Sequence, residues 1–238
     1  MRNKLLLSAF VFAMGCTETK QAPATAASDG AATGASSGAK AGSTKTEGTK
    51  TEGAKPEGAQ AAVGKPAPDF KLKDTDGKEV SLASLKGKTV VLEWFNPECP
   101  FVKKSHGKGS LAGLAPKVTE KGVVWLAINS GAPGKQGAGV DKSKDGAAAL
   151  GVKNPVLIDE SGEVGKLYGA TNTPHMFVID PSGVLVYAGA IDNSPDAEGE
   201  SPEGGTLVNY VTEALAAIDE KRPVKVASTK AYGCSVKY

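Results

Sequence analysis

Cysteine occurs three times, histidine twice and tryptophan twice in 238 residues, and aromatic side chains make up only 5% of the chain. Three cysteines, at positions 16, 99 and 234, are too few for a disulfide framework, so each is read from its own surroundings. No Cys-x-x-Cys pair exists, because Val102 stands where the second cysteine after Cys99 would be. An excess of one charge is missing as well. Against 28 basic side chains stand 26 acidic ones, a net charge of +2, which excludes a polycationic nucleic-acid binder and singles out no partner. Residues 17–62 contain no Val, Ile, Leu, Met, Phe, Trp, Tyr or Cys, so this stretch cannot build a core. Residues 63–238 are long enough to bury one sizeable core.

What is present begins with Arg2 and Lys4 ahead of an apolar run over residues 5–14, far short of the ~20 residues that span a bilayer. This pattern reads as a signal peptide, and Ala13-Met14-Gly15-Cys16 resembles the bacterial lipobox, whose cysteine is lipidated. An ordinary secretory leader with an incidental cysteine is the alternative. The expected placement is the bacterial cell envelope, with Cys16 anchored to the membrane by lipid and the chain facing the periplasm or the exterior. Residues 17–62 then form a disordered, low-complexity tether, rich in Gly, Ala, Ser and Thr, in which Lys45-Thr-Glu-Gly-Thr, Lys50-Thr-Glu-Gly-Ala and Lys55-Pro-Glu-Gly-Ala repeat at five residues and set reach.

The rest alternates strands and helices. Asp76-Gly77 between short runs marks a hairpin. Thr89-Val-Val-Leu-Glu-Trp-Phe95 reads as a central strand covered on both faces, and residues 122–129 as a second. Pro100 suits the first turn of a helix that is expected to run toward Lys117, weakened by Gly107, Gly109 and Gly113. Further expectations are a Gly-rich loop over 130–140, a short helix over 145–150, a strand over 155–159, a helical turn or two over 163–168, a hairpin over 176–190 and an amphipathic helix over 206–221. Together these give an α/β domain over 63–221, a mixed central sheet with helices on both faces, followed by a basic tail over 222–238.

Chemistry concentrates at Cys99, where the strand gives way to the helix. The positive end of the helix dipole and the unsatisfied N–H groups favour a thiolate there, and Lys103 and Lys104 add positive charge. A thiolate attacks disulfides and peroxides. An inert buried cysteine is the bland alternative.

Val63-Gly-Lys-Pro-Ala-Pro-Asp-Phe, the strand Val90-Val-Leu-Glu-Trp-Phe leading to Cys99, and Thr173-Pro174 before Met176-Phe-Val-Ile-Asp resemble the thioredoxin-like redoxins. Within them they are similar to the alkyl hydroperoxide reductase/thiol-specific antioxidant group and the membrane-anchored thiol–disulfide oxidoreductases. The resemblance implies a thioredoxin-like fold over residues 63–221, with Cys99 as the active-site nucleophile and Pro174 as the cis-proline preceded by Thr173. It further implies Glu93 as a buried acid able to shuttle a proton, for which an exposed carboxylate is the alternative, and His175 beside Cys99, steadying the thiolate or acting as an acid. Two positions depart from the group: Val102 removes the adjacent second thiol, and Asn96 and Leu92 replace the Thr/Ser and Pro of the peroxidatic motif.

Cys234 lies in the stretch from Lys221 to Tyr238, which carries five Lys/Arg and no acid. As a mobile second thiol it can resolve Cys99; a free, intermolecular or static disulfide-bonded cysteine is the other reading. Partners implied are a thiol reductant, a peroxide or protein-disulfide substrate and the membrane, with no nucleic acid, no cofactor and no resident metal. Two other functional classes compete: a copper- or zinc-binding module built from Cys99, His106, His175 and Cys234, and a redox-inactive docking scaffold.

Overall fold

The computed structural model describes residues 59–238; the signal-like segment, Cys16 and nearly all of the expected tether lie outside the described residues. A hairpin of β1 (Lys71–Asp74) and β2 (Glu79–Ser81) is turned by Asp74, whose carboxylate accepts the Asp76 and Lys78 N–H groups. After it come β3 (Val90–Trp94), α1 (Pro100–Gly107), α2 (Leu114–Thr119), β4 (Val124–Asn129), α3 (Val140–Ala149), β5 (Val156–Ile158) and α4 (Glu163–Tyr168). The chain finishes with β6 (Asn172–Thr173), β7 (His175–Ile179), β8 (Leu185–Gly189), α5 (Tyr210–Asp219) and β9 (Cys234–Ser235). Seven strands form one sheet in the order β2-β1-β5-β4-β3-β7-β8, with β3, β4 and β5 parallel and the other pairings antiparallel; β6 and β9 pair apart from it.

Alternation along β3 explains the layers. Val90, Leu92 and Trp94 point into one core with Leu126, Ile128, Phe177 and Tyr168, while Val91 points into the other with Trp125, Val178, Val211 and Leu215. Every residue of β3 is buried, as its nearly continuous apolar run requires. The sheet is mixed and covered by helices, as the strand and helix pattern implies.

Three expectations need correction. The helix from Pro100 does not reach Lys117: it stops at Gly107, and a turn separates it from α2. The Ala197 carbonyl presses on Gly109 so closely that a Cβ there would sit 2.1 Å from its oxygen, and Gly113 takes a left-handed φ of 65°. The short helix starts at Val140 rather than 145, because its buried side is made of Ser143 and Ala147 and carries no large apolar residue to announce it. The tail is not free. Its residues 234–235 form β9, and Ala231 is buried.

Gly146, inside α3, lies against Pro97 of the loop that leads to Cys99, where an added Cβ would come 2.1 Å from the Pro97 Cβ. Helix propensity alone favours Gly146→Ala by about 1 kcal/mol. Overpacking outweighs it, so the substitution is expected to lower stability by roughly 1–3 kcal/mol in urea unfolding; an unchanged or raised midpoint would show that Pro97 moves aside freely.

Candidate active site

Cys99 is the N-cap of α1, with extended φ and ψ of −72° and 123°, and Pro100 starts the helix. The turn that places it is organised by Asn96, whose side chain accepts the Glu98 N–H (2.9 Å) and donates to the Gln136 carbonyl (3.0 Å). Gly137 makes room for that amide, since a Cβ there would lie 2.1 Å from Asn96 Oδ1. Asn96 therefore builds the loop, and its amide is committed there.

The Cys99 side chain is 1% exposed, among Phe95, Val102 and Ala127. Its thiol donates to the Thr173 carbonyl at 3.0 Å, and the Thr173–Pro174 bond is cis. β9 runs antiparallel to β6 with Cys234 opposite Thr173 and Asn172 opposite Ser235, so Cys234 is delivered to Cys99 by strand pairing. Gly233 permits the approach: a Cβ there would stand 2.3 Å from the Thr173 carbonyl oxygen. Both cysteines are free thiols.

The two thiols differ electrostatically. Burial raises the Cys99 pKa, but hydrogen bonds from Cys234, Thr173 and the backbone at Val102 and Cys234 outweigh it, and the thiol is held below its ordinary value. Cys234 moves the other way, up to about 11, through burial, its hydrogen bond to Cys99 and the Cys99 charge. Ionisation thus falls on Cys99 first, with Cys234 as the proton-bearing donor beside it. The Thr173 hydroxyl is buried with no other partner, leaving it available to the thiolate.

Glu93 is fully buried on β3, not an exposed carboxylate. Its Oε1 is 2.7 Å from His106 Nε2 and its Oε2 accepts the Trp125 indole N–H at 3.0 Å. His106 comes from α1, two turns past Cys99. Burial alone would depress its pKa, yet the Glu93 charge and hydrogen bond push it above the ordinary value. This pair was hidden in the sequence: a histidine seven residues after Cys99 and an acid six before it lie on different elements, and only the β3–α1 packing joins them.

His175 makes no hydrogen bond to Cys99. Its Nδ1 accepts the Thr171 N–H at 3.3 Å, and its ring stacks on Phe177 at 4.5 Å, in the Trp94 layer of the core. Burial pulls its pKa down to about 4, so at neutral pH it is uncharged. The four residues weighed as metal ligands are accordingly divided among three sets of partners, and no group of three or more His, Cys, Asp or Glu side chains among the described residues converges on a metal position.

A histidine whose folded pKa lies below its unfolded value of about 6.5 favours folding above that pH, and the benefit is lost as pH falls toward 4. The chain is expected to lose roughly 2–3 kcal/mol between pH 7 and pH 4.5 through this residue. His106 contributes with the opposite sign, stabilising below about 6.5 and fading as pH rises through its raised value. Urea midpoints of the parent and of His175→Gln at both pH values check this: the acid-side loss should shrink in the variant, and an equal loss in both would refute it.

The comparisons with known proteins run through this geometry. The Redoxin family model matches residues 62–208. The thiol-disulfide oxidoreductase ResA of Bacillus thuringiensis subsp. konkukian is 33% identical over 124 residues, 52% of this chain and 67% of its own. That of Geobacillus thermodenitrificans is 34% identical over 122 residues, 51% and 66%. Among solved structures, an uncharacterised conserved protein from Geobacillus kaustophilus superposes with a TM-score of 0.62 at 34% identity, over 74% of this chain and 92% of that one. A hypothetical protein from Sinorhizobium meliloti 1021 does so with a TM-score of 0.64 at 27% identity, over 75% and 96%. The matched residues 62–208 take in β3, the Cys99 turn and Thr173–Pro174, and the chain belongs to the redoxin family of thiol-dependent oxidoreductases.

Proposed function

We propose that the chain is an extracytoplasmic thiol–disulfide oxidoreductase whose redox pair is Cys99 and Cys234. The observation that carries this reading is the delivery of Cys234 to the Cys99 cluster by β9, where the pKa of Cys99 is lowered and that of Cys234 raised. The ResA relatives are thiol-disulfide oxidoreductases by name, which supports a disulfide over a peroxide as the oxidised substrate. The commitment of Asn96 to the loop supports it too, since no hydroxyl occupies that position to bind a peroxide.

In the reductive direction the Cys99 thiolate attacks one sulfur of a substrate disulfide, forming a mixed disulfide and releasing the other sulfur as a thiolate that takes up a proton. Formation of the mixed disulfide removes the Cys99 charge, one of the causes that hold the Cys234 pKa high, so Cys234 can now ionise. Its thiolate attacks the Cys99 sulfur, the substrate's second thiolate leaves, and two electrons have passed from the dithiol to the substrate. An external thiol reductant then restores both cysteines. Thr173 and Pro174 hold the substrate-facing edge, with the Thr173 carbonyl accepting from the Cys99 thiol and the unpartnered Thr173 hydroxyl free to donate once Cys99 ionises. Glu93 and His106 form a buried pair that can hold a proton beneath α1, and His175 positions the turn at Thr171 as a neutral ring. The N-terminal pattern supports a signal segment over 1–16 with lipid on Cys16, a tether over 17–62 and a catalytic body over 63–221 closed by residues 222–238.

The test uses the full chain with Cys16→Ser, leaving Cys99 and Cys234 as its thiols. Catalysed reduction of insulin by dithiothreitol should fall at least about a thousandfold in Cys99→Ser. In Cys234→Ser a Cys99 mixed disulfide should accumulate and turnover should fall about a hundredfold or more. If hydrogen peroxide generates the Cys99–Cys234 disulfide much faster than an equal concentration of protein disulfide does, the substrate is a peroxide. If Cys234→Ser turns over like the parent, Cys234 is not the resolving thiol.

A further inference from the structure

Beside the paired strands β6 and β9 lies a cavity of about 720 Å³, within the range of roughly 300–1,000 Å³ that small-molecule sites occupy. Asn172 and Gly233, the chain neighbours of Thr173 and Cys234, form part of its wall, so the cavity adjoins the strand pair that carries the second thiol. The charged side chains of the wall are Asp192, Glu203 and Lys230. Glu203 and Lys230 are exposed, whereas Asp192 is 2% exposed. Asp192 Oδ1 accepts the Ser194 N–H (2.9 Å) and the Tyr232 hydroxyl (2.8 Å), but Oδ2 is buried without a hydrogen-bond partner. None of the ion pairs among the described residues involves Asp192. Burial and the charges of Asp192 and Asp196 push the Tyr232 hydroxyl pKa up, so this donor stays protonated in a negative field.

A buried carboxylate oxygen without a donor is costly, and it selects what can sit against it. A guanidinium presents a fork that asks for two oxygens, and only one is free. A primary ammonium brings a compact positive charge and three N–H donors, which suits one free oxygen at the edge of a cavity. The sulfur nearer to such a ligand is that of Cys234, which is half-buried, while Cys99 is 1% exposed. Thiol–disulfide exchange also favours departure of the sulfur with the lower pKa, and that sulfur is Cys99. We propose that this cavity binds a small thiol bearing an ammonium group, the reductant of the oxidised pair, with the ammonium on Asp192 and the attack directed at Cys234. The inference rests on the reading of Cys99 and Cys234 as the redox pair, and adds the chemical class of the reductant and the sulfur it attacks. The reductant's thiolate forms a bond to the Cys234 sulfur, the Cys99–Cys234 bond breaks, and Cys99 leaves as a thiolate. The thiolate of a second molecule attacks the reductant sulfur of that mixed disulfide, and Cys234 leaves. Two thiols have become one disulfide, the pair has gained two electrons, and the two protons released pass to Cys234 and, through solvent, to Cys99.

The same mixed disulfide forms in reverse from a reduced thiol and a symmetrical disulfide, which allows a test that needs no turnover. In the full chain carrying Cys16→Ser and Cys99→Ser, Cys234 is the only thiol, and mass spectrometry follows its modification by bis(2-aminoethyl) and bis(4-aminobutyl) disulfide. Each is compared with the hydroxyl analogue of the same length, and each rate ratio is divided by that of the urea-unfolded chain, which removes the reagents' intrinsic difference. At one or both lengths the amine is expected to be preferred by about tenfold or more. Asp192→Asn should bring the ratio to within about twofold of the unfolded chain, and ethylammonium chloride should lower it where potassium chloride at equal ionic strength does not. Circular dichroism shows whether Asp192→Asn folds; if it does not, the ethylammonium competition decides. No preference at either length, a preference that survives both Asp192→Asn in a folded chain and ethylammonium, or an equal preference at Cys99 in the chain carrying Cys16→Ser and Cys234→Ser overturns the inference, even where insulin turnover is normal. The expected preference without insulin turnover in the parent would leave the ammonium site standing and sink the disulfide reaction.

Discussion

The contact between the Cys99 and Cys234 thiols is what the site depends on, and it is a contact between a helix N-terminus and a strand rather than between neighbours on one helix. Ionisation has to fall on one sulfur, because two negative charges side by side in a buried place would repel. The fold breaks the symmetry by giving Cys99 several donors and leaving Cys234 with burial and a charged neighbour. In the proposed reaction the order of the two attacks follows from electrostatics: the sulfur that ionises first acts first, and its consumption frees the second.

Around that contact the buried polar groups are paired in ways that keep other chemistry away from it. Glu93 is the only carboxylate on β3, and both of its oxygens are engaged, by His106 and by the Trp125 indole. A buried carboxylate left alone would be costly, and the histidine that relieves it is also held in place by it. Asp159 behaves similarly on the other side of the sheet, accepting from Ser130 and from the Gly165 N–H at the start of α4, while Ser130 in turn accepts the Trp94 indole N–H. Both tryptophans at the heart of the sheet are thus oriented by polar partners, which fixes the two faces of the layer that carries Cys99.

Strand positions, the mixed sheet and the place of Cys99 were legible because they rest on local patterns: the apolar run ending at Phe95, Pro100 at a helix start and Asp-Gly at a turn. Glu93 in the core was legible only as one of two alternatives, since a single acid in a strand can face either way. The break before α2 was not legible, because what requires glycine at position 109 is the carbonyl of Ala197, remote in sequence. Nor was β9, which has two residues, a positive-φ glycine before it and no alternation to detect. His106 and His175 exchanged importance for the same reason. Nearness to Pro174 in sequence favoured His175, but side chains alternate across a strand, and β7 turns His175 into the Phe177 layer.

A second thiol carried on a terminal strand has a consequence that one on the same helix lacks. In a pair set one helical turn apart, the second sulfur stays in place whatever is bound. Here it is in place only while β9 is docked, so redox state and strand docking are linked equilibria, and each must bias the other by the same free energy. A Cys99–Cys234 disulfide would tie β9 to α1 and close the edge; reduction leaves it held by a handful of hydrogen bonds and the Tyr238 and Tyr232 anchors. Closing so long a loop would also remove more chain entropy from the unfolded state than a short Cys-x-x-Cys loop does. In the proposed reaction the oxidised pair therefore holds β9 covalently against α1, and reduction returns it to these non-covalent contacts alone.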